Sequence, residues 1–447
     1  MIARPAATAP RPYRFPDFER HQLDSGLSVW LVPLPDRELV SVHLLTDAGA
    51  AAEEERNAGI AALTAQLLVT GTERLDAAEF AETTERLGIE VSSESSWDSA
   101  RAGFVALGEH LDAGVSLLAE MIRSPRLDPG EFDRLKAERL NDILQSRADP
   151  GRLADESFLR ELYAEGVPYR RLSAGSPESV GALTVADAKA FHATRYVPQA
   201  GHLILAGAFE PAAALATIER RLGDWTGEGK GHRQIEPRTR VDRRIVLVDR
   251  PGSVQSELRV GHLGIDRHDA RFFPAMVMAA LLGGVFGSRL NLRLREELGY
   301  TYGARCSFDP RRTAGPFTAS AAVQTEVTAD ALRELLAQLD RIRDDEPGDV
   351  ELAEVRDFLV GVFPLRFETT AGIAGALEPL AVYGLPDDYW QTYRERIEAV
   401  GIADVHAVAR DLVRPAEALI LVTGDASQVR KELEDAALGP LEVVAAT

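Results

Sequence analysis

The sequence predicts an α+β protein made of two homologous halves, each of them a sheet with helices on one face. An internal repeat is the first reason: the segment that begins at Leu183 matches the segment that begins at Val400 at one constant offset and without gaps. In both segments an amphipathic helix, a proline and an apolar strand ending at glycine follow one another. Strands that alternate with helices, but also occur as hairpin pairs, are the second reason.

Further pieces of the repeat cover nearly all of the 447 residues. DPGEFDRLKAERLNDIL in the first half resembles EPGDVELAEVRDFLVGV in the second, and GLSVWLVPL resembles RRIVLVDRP. We therefore expect a first domain at 14–225 and a second at 244–440, joined by a polar, glycine-containing linker at 226–243. The Pro-rich start, 1–13, is expected to be a disordered arm, and 441–447 a tail.

The composition excludes several classes of protein. A formal net charge of -20 argues against nucleic acid as a partner, because its phosphates would be repelled. Cys306 is the one cysteine, so neither an internal disulfide nor a cysteine-based zinc site is possible. No apolar run approaches the roughly 20 residues that span a bilayer. The start lacks the apolar core of a secretory signal, and we expect a cytoplasmic protein.

Four separated blocks carry a resemblance to a known family. They read AGIAALTAQLLVTGT, SPESVGALTVADAKAFHATRYVP, GGVFGSRLNLRLREELGYTYGARCSF and FPLRFETTAGIAGALEPLAVYGLPDDYW, in that order. Together with the duplication they resemble the pitrilysin, insulinase and mitochondrial-processing-peptidase family of inverted zincins. The resemblance implies a duplicated α/β-roll of the LuxS/MPP-like metallohydrolase fold. It also implies that two chains, or two linked halves, enclose a peptide-binding chamber.

The metal site of that family is missing from this chain. Active members carry H-x-x-E-H on a first-half helix, where two histidines bind zinc and the glutamate is the general base. Alignment on Gly71-Thr72 places Ala62 and Gln66 at the histidine positions and Ala65 at the base. Asp142, but no glutamate, lies near the third-ligand position. Alanine cannot bind a metal and an amide is a poor zinc ligand. We therefore expect no cofactor here, and zinc in a homologous H-x-x-E-H partner subunit.

A second motif of the family is retained. Arg295 and Tyr302 lie in LREELGYTY, and family members with this spacing reach across the chamber to the zinc centre of the other half or chain. The resemblance implies that Tyr302 donates to the developing oxyanion and that Arg295 holds a substrate carbonyl. Gly283 and Gly284 are expected to let substrate approach the backbone, and a helix-ending role for them is equally open. Gly299 is expected to end the helix, so that Tyr302 enters a strand.

These observations predict a non-zinc subunit of a heterodimeric zinc metalloendopeptidase, inactive alone, that acts on peptides or unfolded polypeptides. Two alternatives remain open: a catalytically inactive scaffold and a peptide-binding homodimer of the same fold. The spacing of Arg295 and Tyr302 argues against a pure scaffold, which has no need of it. Ordinary structural roles also remain open, with Arg295 on a helix surface and Tyr302 as a packed aromatic, and the spacing selects Tyr302 over Tyr300.

Overall fold

A computed structural model describes residues 11–239 and 242–446. Most of the arm predicted at 1–13 lies outside the described residues. Its last residue does not extend into solvent: the Tyr13 ring stacks on Phe367 and meets the edge of Phe363, both in the second half. This end of the arm is therefore part of an aromatic core.

Two sheets of six strands each account for the described strands. The first sheet contains β1 (Glu19–Gln22), β2 (Ser28–Pro33), β3 (Leu39–Thr46), β4 (Glu90–Ser95), β5 (Ala100–Leu107) and β6 (His202–Gly207). The second contains β7 (Arg244–Asp249), β8 (Gln255–Leu263), β9 (Ala304–Phe308), β10 (Pro316–Gln324), β11 (Leu419–Gly424) and β12 (Leu441–Ala445). The strand orders are β1-β2-β6-β3-β5-β4 and β12-β7-β11-β8-β10-β9.

The two sheets have the same topology except at one edge. In each, a central parallel pair, β2 with β6 and β7 with β11, is continued by antiparallel strands. At the edge, β1 lies antiparallel to β2, whereas β12 lies parallel to β7. Residues 441–445, which were predicted to belong to a tail, are thus an edge strand of the second sheet. The duplicated α+β architecture predicted from the repeat is confirmed.

Helices surround both sheets. The first half contains α1 (Ile60–Leu67), α2 (Ala77–Leu87), α3 (Leu111–Arg123), α4 (Pro129–Ala148), α5 (Pro150–Leu162), α6 (Pro177–Ala182), α7 (Val185–Arg195) and α8 (Pro211–Leu222). The second contains α9 (Phe272–Ala279), α10 (Thr328–Asp344), α11 (Asp349–Val362), α12 (Thr370–Tyr383), α13 (Tyr389–Glu398), α14 (Ile402–Leu412) and α15 (Ala426–Ala436). Two π-helical segments, Ala280–Gly284 and Asn291–Glu297, follow α9. Among the described helices, none combines the length and the apolar character needed to cross a membrane.

The two halves exchange helices with each other. The helix α5 of the first half packs on β8 and β11 of the second sheet, and α12 of the second half packs on β3 and β6 of the first. A polar contact accompanies each of these two packing arrangements. The hydroxyl groups of Ser41 on β3 and Thr370 on α12 lie 2.8 Å apart in the interior. The carboxylate of Asp155 on α5 accepts a hydrogen bond from Arg259 on β8 at 2.6 Å. Separating the halves would expose the apolar faces that these helices cover.

A buried carboxylate strengthens the junction between the halves. Asp98 accepts hydrogen bonds from the hydroxyls of Tyr169, at 2.8 Å, and Tyr383, at 3.1 Å, and from the backbone N–H of Arg312, at 3.0 Å. Burial, and then the negative charge of Asp98, raise the pKa of the Tyr169 phenol, which therefore remains a donor. One first-half side chain thus joins two segments of the second half.

Candidate functional site

The helix α1, where the family carries its zinc ligands, is held at its start by protein groups. Gly59 precedes it with a φ of 97°, a conformation that favours glycine. The buried carboxylate of Glu53 accepts from the N–H groups of Gly59 and Ala61, at 3.1 and 2.8 Å, and pairs with Arg171 at 2.8 Å. Burial raises the pKa of Glu53 to about 7, against the opposing effect of Arg171 and the two amides. A carboxylate of the protein thus caps the start of this helix.

The side chains at the predicted ligand positions do not fit a zinc ion. Ala65 is fully buried, and Ala62 and Gln66 are half-buried on the same helix. The Gln66 Oε1 atom is buried and accepts no hydrogen bond from the described residues, whereas Asp142 on α4 is exposed. In 11–239 and 242–446, no three His, Cys, Asp or Glu side chains come together as a possible metal site. One amide and two methyl groups cannot replace two imidazoles and a carboxylate.

In the second half, the four residues singled out in the sequence line one open cleft. Arg295, Tyr302, Gly283 and Gly284 surround a space of about 540 Å³ beside the edge strand β9. The fold thus places the two glycines in the same cleft as Arg295 and Tyr302, which follow them along the chain. Their roles toward a substrate remain predictions.

Asn291, which sequence reasoning missed, connects the segments around the cleft. Its side-chain N–H₂ donates to the Val285 carbonyl at 3.2 Å and to the Ser288 hydroxyl at 3.1 Å. Its Oδ1 atom accepts from the Ala304 N–H at 2.9 Å, at the start of β9. A buried amide that satisfies three groups fixes their relative position. The signal in the sequence is weak, because Asn291 lies among several other polar residues, such as Ser288, Arg289 and Arg293.

Tyr302 lies in the connection before β9 and not within the strand, so that detail of the prediction was wrong. The π-helical segment ends at Glu297, and Gly299, which has a φ of 66°, donates its N–H to the Arg295 carbonyl at 3.2 Å. Thr301 then forms two hydrogen bonds with the backbone of Gly303 and closes a tight turn. Tyr302 at the tip of this turn is 92% exposed, whereas Tyr300 packs against the core.

Arg295 is held by an aromatic ring that the sequence did not point out. Its guanidinium lies 4.4 Å from the centre of the Phe286 ring, and its Nε atom lies 3.4 Å from a carboxylate oxygen of Glu296. Phe286 is 68% exposed and lines the same cleft as Arg295 and Tyr302. Contact with the face of a ring limits the conformations of Arg295 and leaves the N–H groups in the plane of its guanidinium available for a ligand.

The two glycines of the cleft differ in their surroundings. A Cβ atom on Gly283 would lie 2.5 Å from the Cys306 backbone nitrogen and 2.6 Å from its Cβ atom. A Cβ atom on Gly284 would meet the Cβ atom of Ala280 at 3.3 Å. Gly283 therefore permits the close packing of the π-helical segment on β9.

Cys306 is buried there, and burial raises the pKa of its thiol, so it is not a reactive thiolate.

We expect Gly283→Ala to destabilise the chain by about 1–3 kcal/mol, because the added methyl group must push the helical segment away from β9. Gly284→Ala is the matched control, since its methyl group needs a shift of only a few tenths of an ångström. Urea denaturation of both variants measures the difference. Equal stability of the two variants would contradict the packing role of Gly283.

Comparisons with known proteins agree over most of the chain. Residues 29–167 match the profile of the insulinase family, peptidase family M16, and 182–359 match that of the peptidase M16 inactive domain. A non-peptidase homologue from Helicobacter pylori is 24% identical over 374 residues, which are 82% of this chain and 84% of that protein. An uncharacterized zinc protease from Mycobacterium tuberculosis is 26% identical over 91% of this chain and 92% of its own.

A solved structure shows the same similarity. The crystal structure of a peptidase M16 inactive domain from Pseudomonas fluorescens superimposes with a TM-score of 0.85 at 25% identity. It covers 91% of this chain and 98% of its own. The relatives thus include proteins described as proteases and proteins described as inactive.

Proposed function

The chain belongs to the insulinase family, peptidase family M16, and from this premise we propose that it is the non-zinc subunit of a heterodimeric metalloendopeptidase. In this proposal a homologous subunit with an intact H-x-x-E-H helix binds the zinc. This chain supplies Arg295 and Tyr302 to the partner's active site. Peptides or unfolded polypeptides are the substrates.

The observation that carries the proposal is the exposure of Tyr302 beside Arg295 in a chain whose own zinc positions are filled by Ala62 and Gln66. Tyr302 is 92% exposed at the tip of a turn whose base is fixed by Asn291. A large aromatic side chain that is this exposed to water buries little apolar surface and so stabilises its own chain little. Its exposure is understandable if a second molecule covers it.

The chemistry follows from the two side chains. The partner's zinc would supply the activated water. The Tyr302 hydroxyl is a neutral donor that can hydrogen-bond to the oxygen of a scissile carbonyl as negative charge develops there. Arg295 carries a permanent positive charge with N–H donors in a fixed plane, and can hold a neighbouring backbone carbonyl. Closure of the partner over the open cleft would exclude water and strengthen both interactions.

Reconstitution tests the proposal. The chain is purified alone and together with the H-x-x-E-H homologue from the same cell, and cleavage of a quenched fluorescent peptide and zinc content are measured. We expect neither chain alone to cleave the peptide, and the mixture to do so with about one zinc ion per pair. A version of the homologue without its zinc-binding histidines is the control.

Two results would contradict the proposal. One is stoichiometric zinc and peptidase activity in this chain by itself. The other is a stable complex with the homologue that remains as inactive as the separate chains, which would favour a scaffold. A homodimer that binds peptides and ignores the homologue would favour a binding protein.

A further inference from the structure

We propose that a second cavity, in the first half of the chain, binds a small molecule that carries a phosphate or carboxylate group. The cavity has a volume of about 380 Å³, which is within the range of small-molecule sites. Four arginines line it, namely Arg147, Arg160, Arg170 and Arg171. It lies between the end of α4, the helix α5 and the segment that leads to α6, and shares no lining residue with the cleft around Tyr302.

Two of the four arginines, Arg147 and Arg170, make no side-chain hydrogen bond within the described part of the chain, whereas Arg160 and Arg171 do. Arg171 is paired with Glu53 at 2.8 Å and is committed to the structure. Arg147 and Arg170 are half-buried, and the Nε atom of each is buried without a hydrogen-bond partner in the described part of the chain. Because these Nε atoms are shielded from solvent, an anion in the cavity would be bound by the terminal N–H groups of Arg147 and Arg170, which lie on the cavity wall.

The carboxylates of the cavity do not satisfy these arginines. Glu55 and Glu178 are exposed at the rim, where water screens them. Glu156 is half-buried and faces Arg147 and Arg160; burial raises the pKa of its carboxyl group, against the opposing effect of the two arginines. Glu156 is therefore the group with which a bound anion would compete.

The duplicated half provides an internal comparison. In the second half, aromatic rings cluster between the end of α11, the start of α12 and the helix α13. Phe363 and Tyr393 stack at 4.8 Å, Phe367 meets Trp390 at 5.6 Å, and Tyr13 from the N-terminal arm stacks on Phe367. The chain thus carries aromatic residues after α11 in the second half, and arginines around the end of α4 in the first half. The fold itself does not require the charged cavity.

Arginine suits this ligand class because its planar fork binds two oxygens of a phosphate or carboxylate at once. The chain as a whole carries a formal charge of -20 and repels anions. Binding must therefore depend on the local arginines, and should weaken as salt concentration rises.

Isothermal titration calorimetry of the full chain tests the proposal, with inorganic pyrophosphate as the phosphate probe and succinate as the carboxylate probe. We expect at least one probe to bind with one site per chain, and the probe that binds identifies the group. The double variant Arg147→Gln, Arg170→Gln should weaken binding about 10- to 100-fold. Arg152→Gln is the matched control, because Arg152 is an exposed arginine on the neighbouring helix α5 and does not line the cavity.

A variant with the opposite expected effect distinguishes the loss of the binding site from misfolding of the chain. Glu156→Gln removes the competing carboxylate and should tighten binding about threefold to tenfold, which a damaged protein would not do. The proposal is overturned if neither probe binds, if the double variant binds as well as the wild type, or if Arg152→Gln weakens binding equally.

Discussion

Tyr302→Phe is expected to lower kcat/KM of the reconstituted heterodimer about 100- to 1000-fold, because loss of one oxyanion donor costs about 3–4 kcal/mol of transition-state stabilisation. The change removes one oxygen atom from a side chain that is 92% exposed in the free chain, so stability and assembly should be unaffected. The effect should appear mainly in kcat, since the interaction forms as charge develops.

Tyr300→Phe is the matched control for this prediction. Tyr300 lies two residues away, loses the same atom and packs against the core instead of the cleft. Steady-state kinetics with a fluorogenic peptide, and size-exclusion chromatography of each complex, separate catalysis from assembly. If Tyr302→Phe retains wild-type activity, or if Tyr300→Phe loses as much, Tyr302 is not the oxyanion donor.

Asp98→Ala is expected to destabilise the chain by about 3–5 kcal/mol, because it leaves buried donors at the junction of the halves without an acceptor. The hydroxyls of Tyr169 and Tyr383 and the N–H of Arg312 all donate to this carboxylate. The free energy of unfolding from urea denaturation measures the loss. Asp98→Asn should lose less, since its amide oxygen can still accept.

Asp112→Ala provides the control for the loss of a carboxylate. Asp112 pairs with Arg220 at 2.9 Å and with Arg221 at 3.6 Å, and its side chain is 56% exposed. Exposed pairs of this kind contribute about 0–1 kcal/mol. If Asp98→Ala proves as mild as Asp112→Ala, the carboxylate does not join the halves.

The repeat in the sequence was sufficient to predict the architecture. The segments from Leu183 and Val400 form α7 with β6 and α14 with β11, and these strands lie at the centre of their sheets. Such a pattern can be recognised in a sequence because the periodicity of apolar residues and the signals that start helices and end strands are local properties of the chain. The edge strand β12 was not foreseen, since an edge strand buries little and has a weak pattern.

The candidate site was predictable only in part. Arg295 and Tyr302 were found from their spacing, and Ala62 and Gln66 from their place in the degenerate zinc motif. Phe286 and Asn291 were missed, because their roles arise from contacts across a turn that no local pattern records. The difference between Gly283 and Gly284 likewise depends on how closely β9 approaches.

The sequence by itself determined the duplicated fold, the family and the loss of the zinc ligands, because each depends on residue type and order along the chain. The tertiary structure alone decided which side chains share a space. It placed Tyr302 in solvent beside Arg295, and it left Arg147 and Arg170 on the wall of an open cavity. Burial and unpaired hydrogen-bond donors are properties of packing between distant segments, and a sequence pattern does not contain them.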